Sequence, residues 1–267
     1  MPERKVVLIT GTSMGLGHAM AELLAADGWT VFGTSREPEN YSTHGGEMIE
    51  LDVNDDASVR ECADGVLERT GRIDALVNNA GYGLRAMAEE ATIEEVRAQF
   101  DTNYLGVHRM NRAVLPIMRE QGHGRIVNVS SLSGLLGTPP SAHYCATKHA
   151  LEGYSQAMRF EVARFGIKVV LVEPGLTKSE FRANVDEPDE PIPDYDDMRE
   201  HLAEMSERAE DTAAPATVVA RTVQRALTAR NPRLRYTCTT RDWFAAHLRC
   251  WLPEGVMHWI VRRVFGP

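Results

Sequence analysis

Tyr144 and Lys148 stand four positions apart in the run Tyr144-Cys145-Ala146-Thr147-Lys148. On a helix that spacing places two side chains on one face. A phenol titrates near ~10 in water and is a poor acid–base group at neutral pH. A fixed ammonium beside it favours the phenolate and lowers that value. The pair can then give a proton in one direction of a reaction and take it in the other. The spacing alone is common on protein surfaces, so its weight rests on its surroundings. Ser131 follows the apolar run Ile126-Val127-Asn128-Val129, where its hydroxyl can bond a substrate oxygen beside the phenol. Asn103 falls inside a helical stretch, Asn103-Tyr104-Leu105-Gly106. Asn is a poor mid-helix residue because its side chain competes for backbone groups. A buried Asn there points to a structural hydrogen bond or a bound water.

A second cluster opens the chain. Thr10-Gly11-Thr12-Ser13-Met14-Gly15-Leu16-Gly17 follows a strand pattern and leads into a helix. Glycines let a backbone approach a pyrophosphate closely, and a helix start supplies free N–H groups and a favourable dipole. Three glycines alone are weak evidence. Between a first strand and a first helix they point to a nucleotide. The second strand bears on which one. NAD-binding sheets end it with an acid that takes the ribose 2′-hydroxyl. Here Val31-Phe32-Gly33-Thr34 runs into Ser35-Arg36, with Glu37 and Pro38 after. Arg36 can fork onto a 2′-phosphate, so NADP is the preferred cofactor and NAD the alternative. Met14, where a basic residue would have helped, lends no support.

These residues need a scaffold, and the pattern supplies one. Strands are expected at Lys5–Ile9, Thr30–Thr34, Met48–Asp52, Asp74–Asn78, Gly124–Ser130, Ile167–Glu173 and Arg233–Cys238. Helices are expected at Gly15–Asp27, Asp55–Arg69 (capped by Asp55 or Asn54), Ala142–Phe165, Asp196–Arg208 and Pro215–Leu227. Thr92–Glu120 reads as one long helix or two, and Trp243–Val264 as helix interrupted at Pro253. Alternating strand and helix implies an α/β fold, a Rossmann-type doubly wound parallel sheet with helices on both faces. Ligands of such sheets bind beyond the carboxyl ends of the strands, where every motif above falls. The 267 residues suit a single domain. Within it, 183–212 reads as a substrate lid rich in proline and acid, and 240–267 as an aromatic helical extension.

Composition narrows the partners. The net charge of −9 argues against nucleic acid, whose phosphates are met by Lys and Arg. Cys62, Cys145, Cys238 and Cys250 show no CxxC pair and no metal-ligand spacing with His. They read as free thiols of a reducing, cytoplasmic setting, with no metal. The start has no apolar signal segment, and no run approaches the ~20 apolar residues of a membrane span.

Taken together, the motifs resemble the short-chain dehydrogenase/reductase family. They are TGxxxGxG (Thr10–Gly17), NNAG (Asn78–Gly81), the helix Asn (Asn103), Ser131, YxxxK (Tyr144–Lys148) and Pro174-Gly175. Their order and intervals agree from about residue 4 to 182; each is loose, but six in register are specific. The resemblance implies an enzyme moving a hydride between nicotinamide and a carbonyl or secondary alcohol. It makes Tyr144 the general acid/base, and Lys148 the holder of the nicotinamide ribose that lowers the Tyr144 pKa. Ser131 would orient the substrate oxygen beside Tyr144, and Asn103 would anchor a water relaying protons to Lys148. For the cofactor it implies Gly11, Ser13, Met14, Gly15, Leu16 and Gly17 at the phosphates, Arg36 at the 2′-phosphate, and Asp52 and Val53 at the adenine. Asn79, Ala80 and Gly81 would line the adenosine ribose, and Pro174, Gly175, Thr177 and Ser179 the nicotinamide, together with Tyr144 and Lys148. Ser179 stands where the family's motif has Thr and keeps the hydroxyl. Glu173 departs from the apolar or small residue usual before Pro174; turned inward, it would change charge near the nicotinamide.

Val31–Arg36, Phe160–Glu173 and Pro232–Tyr236 are similar to the subgroup of 17β-hydroxysteroid and retinol dehydrogenases, which implies a lipophilic alcohol or ketone. The pocket would form from Gly83–Met87, Leu132–His143 and the stretch after Ser179. His143 reads as a helix-start surface residue. The family also implies a homodimer or homotetramer through the Thr92–Glu120 and Ala142–Phe165 helices. The aromatic tail has four readings: packing on the domain, which is favoured, pocket closure, a subunit contact, or a membrane surface, which the acidic total disfavours. A non-catalytic NADP sensor, an epimerase or dehydratase relative, and NAD-dependent alcohol oxidation are the competing functions.

Overall fold

A computed structural model describes residues 4–41, 46–178 and 185–266. Seven strands form its main sheet: β1 (Val6–Ile9), β2 (Thr30–Ser35), β3 (Glu47–Glu50), β4 (Ala75–Asn78), β5 (Gly124–Val129), β6 (Ile167–Glu173) and β7 (Arg235–Thr237). They lie in the order β7-β6-β5-β4-β1-β2-β3, every neighbour parallel. This is the Rossmann-type arrangement. β3 stops at Glu50; Leu51 and Asp52, expected at its end, lead into the turn at Val53 and Asn54, with the Leu51 N–H still donating to the Ser35 carbonyl at 2.9 Å.

The central strands are apolar on both faces because both are covered. Side chains alternate across a strand. Leu8, Leu76, Ile126 and Val169 enter one core with Val59 and Val66 of α2 (Asp56–Thr70), Met110 and Val114 of α4 (Gly106–Gln121) and Met158 of α5 (Ala142–Val162). Val7, Ile9, Val77, Val127 and Val170 enter the other with Met20 and Leu24 of α1 (Gly15–Ala26) and Val219 and Val223 of α7 (Ala216–Thr228). Chain order reverses between β1 and β4. The connections leaving them diverge and open a crevice there, flanked by the Thr10–Gly17 loop and Asn78–Gly81.

Local signals explain the helix ends. Asp55 caps α2 by accepting from the Ala57 N–H at 2.7 Å. Thr92 and Glu95 make a reciprocal capping box at the start of α3 (Ile93–Phe100). The long helix expected over 92–120 is neither uniform nor interrupted. α3 runs through a π-helical turn, Asp101–Leu105, into α4. Such widened turns favour functional sites, and this one carries Asn103.

The remaining helices are α6 (Asp196–Glu210), α8 (Thr240–Trp251) and α9 (Glu254–Phe265). The tail is interrupted at Leu252-Pro253, with Pro253 preceding the first turn of α9. The segment 185–199, part of the expected lid, is tied down. Val185–Asp186 pairs with Gly83–Leu84. The Ile192 N–H donates to Glu90 Oε1 at 2.9 Å, and Arg199 bridges Glu90 and Asp196. Among the described residues no helix is long and apolar enough to cross a membrane.

Candidate active site

The loop after β1 is shaped for an anion. Gly11 (φ 69°) and Gly15 (φ 60°) take left-handed backbone that side chains disfavour. At Gly17 a Cβ would lie 2.0 Å from the Gly11 carbonyl oxygen, so only glycine lets α1 start this close to the strand. Met14 supplies no side-chain cap and the first turn has no acid. The dipole and N–H groups of the α1 start thus face no competing carboxylate of their own turn. This suits a pyrophosphate. Thr34 and Thr10 brace the loop. The Gly11 N–H donates to Thr34 Oγ1 at 3.2 Å, and Thr10 Oγ1 accepts from the N–H groups of Asn79 (3.0 Å) and Ala80 (2.9 Å). The Asn79 amide donates back to the carbonyls of Thr10 (3.0 Å) and Gly11 (2.9 Å). That side chain therefore fixes the glycine loop.

Arg36 is exposed one residue beyond β2. Glu37, the next carboxylate, is engaged in its own turn, where it accepts from Asn40 Nδ2 at 2.8 Å. Asp52 Oδ1 accepts from the Asn54 N–H at 2.9 Å. Val53 is buried, and a Cβ at Gly106 would come within 2.9 Å of its Cγ2. The side chain of Val53 thus packs under α4.

Tyr144 and Lys148 share one face of α5. Lys148 Nζ lies 5.6 Å from the Tyr144 ring centre and donates to the Val129 carbonyl at 3.0 Å. Ser131, just beyond β5, hydrogen-bonds the phenol. Its own Oγ accepts from the Ser133 N–H at 3.1 Å. The Leu132 N–H donates to the Pro174 carbonyl at 3.0 Å, which draws the ends of β5 and β6 together. Burial pushes the phenol up to about 12, against the Ser131 hydrogen bond. Burial pulls Lys148 down to about 8, against Glu152. The phenol is thus protonated at neutral pH, the form that can donate to a developing alkoxide.

Asn103 Oδ1 accepts from the Tyr82 N–H at 3.0 Å, and its Nδ2 donates to the Tyr82 carbonyl (2.9 Å) and Thr147 Oγ1 (3.3 Å). A Cβ at Gly81 would sit 2.8 Å from Asn103 Oδ1 and 3.9 Å from Lys148 Nζ. The glycine of NNAG therefore leaves room where Asn103 and Lys148 converge. Thr147 was not picked out from sequence, although its place beside Lys148 was a usable signal. His143 Nε2 lies 3.2 Å from the Ala88 carbonyl oxygen and steadies that loop. Thr177 Oγ1 donates to the Gly175 carbonyl at 3.1 Å. At Gly175 a Cβ would meet Asp242 Oδ1 at 2.2 Å, so the start of α8 presses on the Pro174-Gly175 turn. Ser13 and Leu16 lie in the glycine loop. Ser179 lies outside the described residues.

Glu173 turns inward and is 1% exposed. Arg235 Nε stands 3.1 Å from Glu173 Oε1 and 2.9 Å from Glu152 Oε2. One guanidinium thus serves two buried carboxylates, and Glu152 lies one turn beyond Lys148. Burial, then the neighbouring Glu152, raises Glu173 from the ordinary value of 4.5 to about 8, against the pull of Arg235. The folded protein holds a proton that the unfolded chain releases, so stability falls as pH rises from about 4.5 through about 8. In Glu173→Gln the decline flattens. The folding constant of the parent drops by up to about tenfold per pH unit in that window, and the variant's should not follow. Urea melts at a series of pH values measure both; parallel curves would refute the assignment.

A cavity of about 360 Å³ lies between the Pro139 loop, Met198 of α6 and His258, Val261, Arg262 and Phe265 of α9. A second, of about 380 Å³, is lined by Tyr82, Leu84, Glu95 and Asp186 among others and includes neither Tyr144 nor Lys148.

Residues 5–190 match the short chain dehydrogenase family model. The chain belongs to the short-chain dehydrogenase family. It is 36% identical over 263 residues to a 3-ketodihydrosphingosine reductase of Bacteroides thetaiotaomicron, covering 97% of each chain. A short-chain dehydrogenase structure from Streptomyces avermitilis superposes with a TM-score of 0.85 at 34% identity, covering 98% of this chain and 97% of that one. Solved relatives hold either coenzyme. ElxO carries NADP (TM-score 0.74, 28% identity, covering 88% and 97%), and a Burkholderia phymatum member carries NAD (0.79, 26%, covering 97% of each). This short-chain dehydrogenase is an oxidoreductase that acts on CH–OH groups with a nicotinamide coenzyme.

Proposed function

We propose that the enzyme uses NADPH to reduce a ketone on a lipophilic, long-chain substrate. The observation that carries the chemistry is the half-buried, protonated Tyr144 held between Ser131 and Lys148. A nicotinamide coenzyme, when bound, supplies the hydride. The chain does the rest. Gly11 to Gly17 hold the pyrophosphate, with Asn79 bracing them, and Arg36 binds the 2′-phosphate. Asp52 and the backbone at Val53, Ala80 and Gly81 border the adenosine. Pro174, Gly175, Thr177 and Ser179 border the nicotinamide. Ser131 orients the ketone oxygen, and Tyr144 gives it a proton as negative charge develops there. The Lys148 ammonium stabilises the phenolate left behind, and Asn103 holds the proton route behind it.

The substrate reading rests on half-buried Leu132, Leu135, Leu136 and Pro139 beside Tyr144, and on the likeness to a reductase whose name specifies a 3-keto sphingoid base. The lid and the C-terminal extension belong to the same domain as the sheet in this reading. Exposed Ile93, Leu105 and Phe160 on the α3–α4 and α5 helices support a homo-oligomer. The test is NADPH consumption with 3-ketones of increasing chain length. We expect kcat/KM to rise with length before levelling. A preference for short polar ketones would overturn the lipophilic assignment, and loss of cofactor consumption with every ketone would overturn reduction.

A further inference from the structure

The C-terminal helices are dressed unlike the rest of the molecule. Of the ten exposed large hydrophobic residues among the described ones, six lie here: Trp243, Phe244, Trp251, Val256, Trp259 and Val264. Trp251 is 60% and Trp259 63% exposed. On α8, Trp243, His247 and Trp251 follow at helical spacing and touch, with ring centres 4.3 and 5.7 Å from Trp243. α9 has no buried residue and presents two distinct faces. His258, Val261, Arg262 and Phe265 line the cavity at Pro139. Val256, Trp259 and Arg263 are exposed on the opposite side of the helix.

Charge is divided the same way. The chain holds 29 Lys and Arg against 38 Asp and Glu, a net −9. From Thr240 onward stand Arg241, Arg249, Arg262 and Arg263 against Asp242 and Glu254. That stretch is net +2, which leaves −11 on the remainder. Asp242 is buried in the capping box of α8, so the surface balance is more basic still. The acidic total that argues against lipid is therefore carried by other parts of the molecule.

We infer that α8 and α9 form a docking surface for an anionic lipid bilayer, seating Trp251 and Trp259 at the headgroup level while the face of α9 that lines the Pro139 cavity stays turned to the domain. Exposed Trp beside Arg is the composition that interfacial helices use. A second copy of this chain fits less well, because a two-fold contact would set the same basic segment against itself. The inference deepens the lipophilic-substrate reading and rests on it for the purpose of docking, but the binding itself can be measured without turnover.

The experiment is cosedimentation of the full chain with phosphatidylcholine vesicles, with and without phosphatidylglycerol, while tryptophan emission is followed. Binding should be at least about tenfold stronger to the anionic vesicles, weaken with added salt, and shift the emission to shorter wavelength. The double variant Trp259→Ser with Arg263→Glu should lose this binding and keep its NADPH-linked rate on a short, water-soluble ketone. Failure of the parent to bind anionic vesicles at low salt overturns the inference, as does undiminished binding by the variant. So does a self-association that the same variant abolishes in a chain that ignores vesicles, since the face is then a subunit contact. Vesicle binding without reduction of any long-chain ketone would leave the docking surface standing and remove the substrate reading alone.

Discussion

Tyr144→Phe should lower kcat by about a thousandfold or more while NADPH affinity changes less than about threefold. A positioned general acid typically contributes ~10²–10⁴. Here the ketone oxygen would lose its only phenolic donor, and Ser131, lacking that group, can orient the oxygen but not readily release a proton at neutral pH. The coenzyme should barely register the change. The Phe ring refills the same half-buried space, the glycine loop lies on another part of the sheet, and Lys148 keeps its 3.0 Å bond to the Val129 carbonyl. Steady-state rates and a fluorescence titration of the same preparation separate the two effects. Turnover within tenfold of the parent would refute the assigned acid. So would a loss of activity matched by an equal loss of NADPH binding, which would make the phenol a cofactor anchor.

The second large effect belongs to Arg36. Arg36→Ala should weaken NADPH at least about tenfold and leave NADH within about twofold, because the two coenzymes differ at the 2′ position alone. A guanidinium donates two charge-assisted bonds to a phosphate. No acid at the end of β2 offers the ribose diol of NADH a compensating partner, since Glu37 is held in its own turn by Asn40. Arg36 is exposed, so the effect should shrink as salt rises. Titration of parent and variant with both coenzymes decides the matter. Parental preference for NADH would reverse the cofactor assignment and make alcohol oxidation the natural direction. Equal losses for both would mean that Arg36 supports the turn and reads no phosphate.

The sequence by itself determined everything that depends on local order. Apolar runs and the helix-period stretches between them specified the parallel sheet, and all seven strands lie within two residues of their expected limits. β3 ends two residues early: the Leu51 N–H still bonds the Ser35 carbonyl at 2.9 Å, but the chain turns at Val53 and Asn54 before the ladder can continue. Tyr144 and Lys148 share a helix face because 3.6 residues per turn bring every fourth side chain round again. The glycines of the first loop were legible because only glycine accepts positive φ at Gly11 and Gly15 or the close approach at Gly17.

Only the tertiary structure decided which distant groups meet. Nothing near Asn79 announces that its amide clamps the loop after β1. The bonds span 69 and 68 residues and exist because β4 lies beside β1 in the sheet. Asn103 was conspicuous as a misplaced helix residue, but its partners Tyr82 and Thr147 are supplied by the crossing of three elements at the π-helical turn. Arg235 reaches Glu152 and Glu173 because β7 joins the sheet beside β6, at the far edge from the glycine loop. The exposure of the last two helices had the same origin. Their apolar spacing reads alike whether they are covered or bare, since periodicity records which residues share a face, and only packing assigns that face to a neighbour or to solvent.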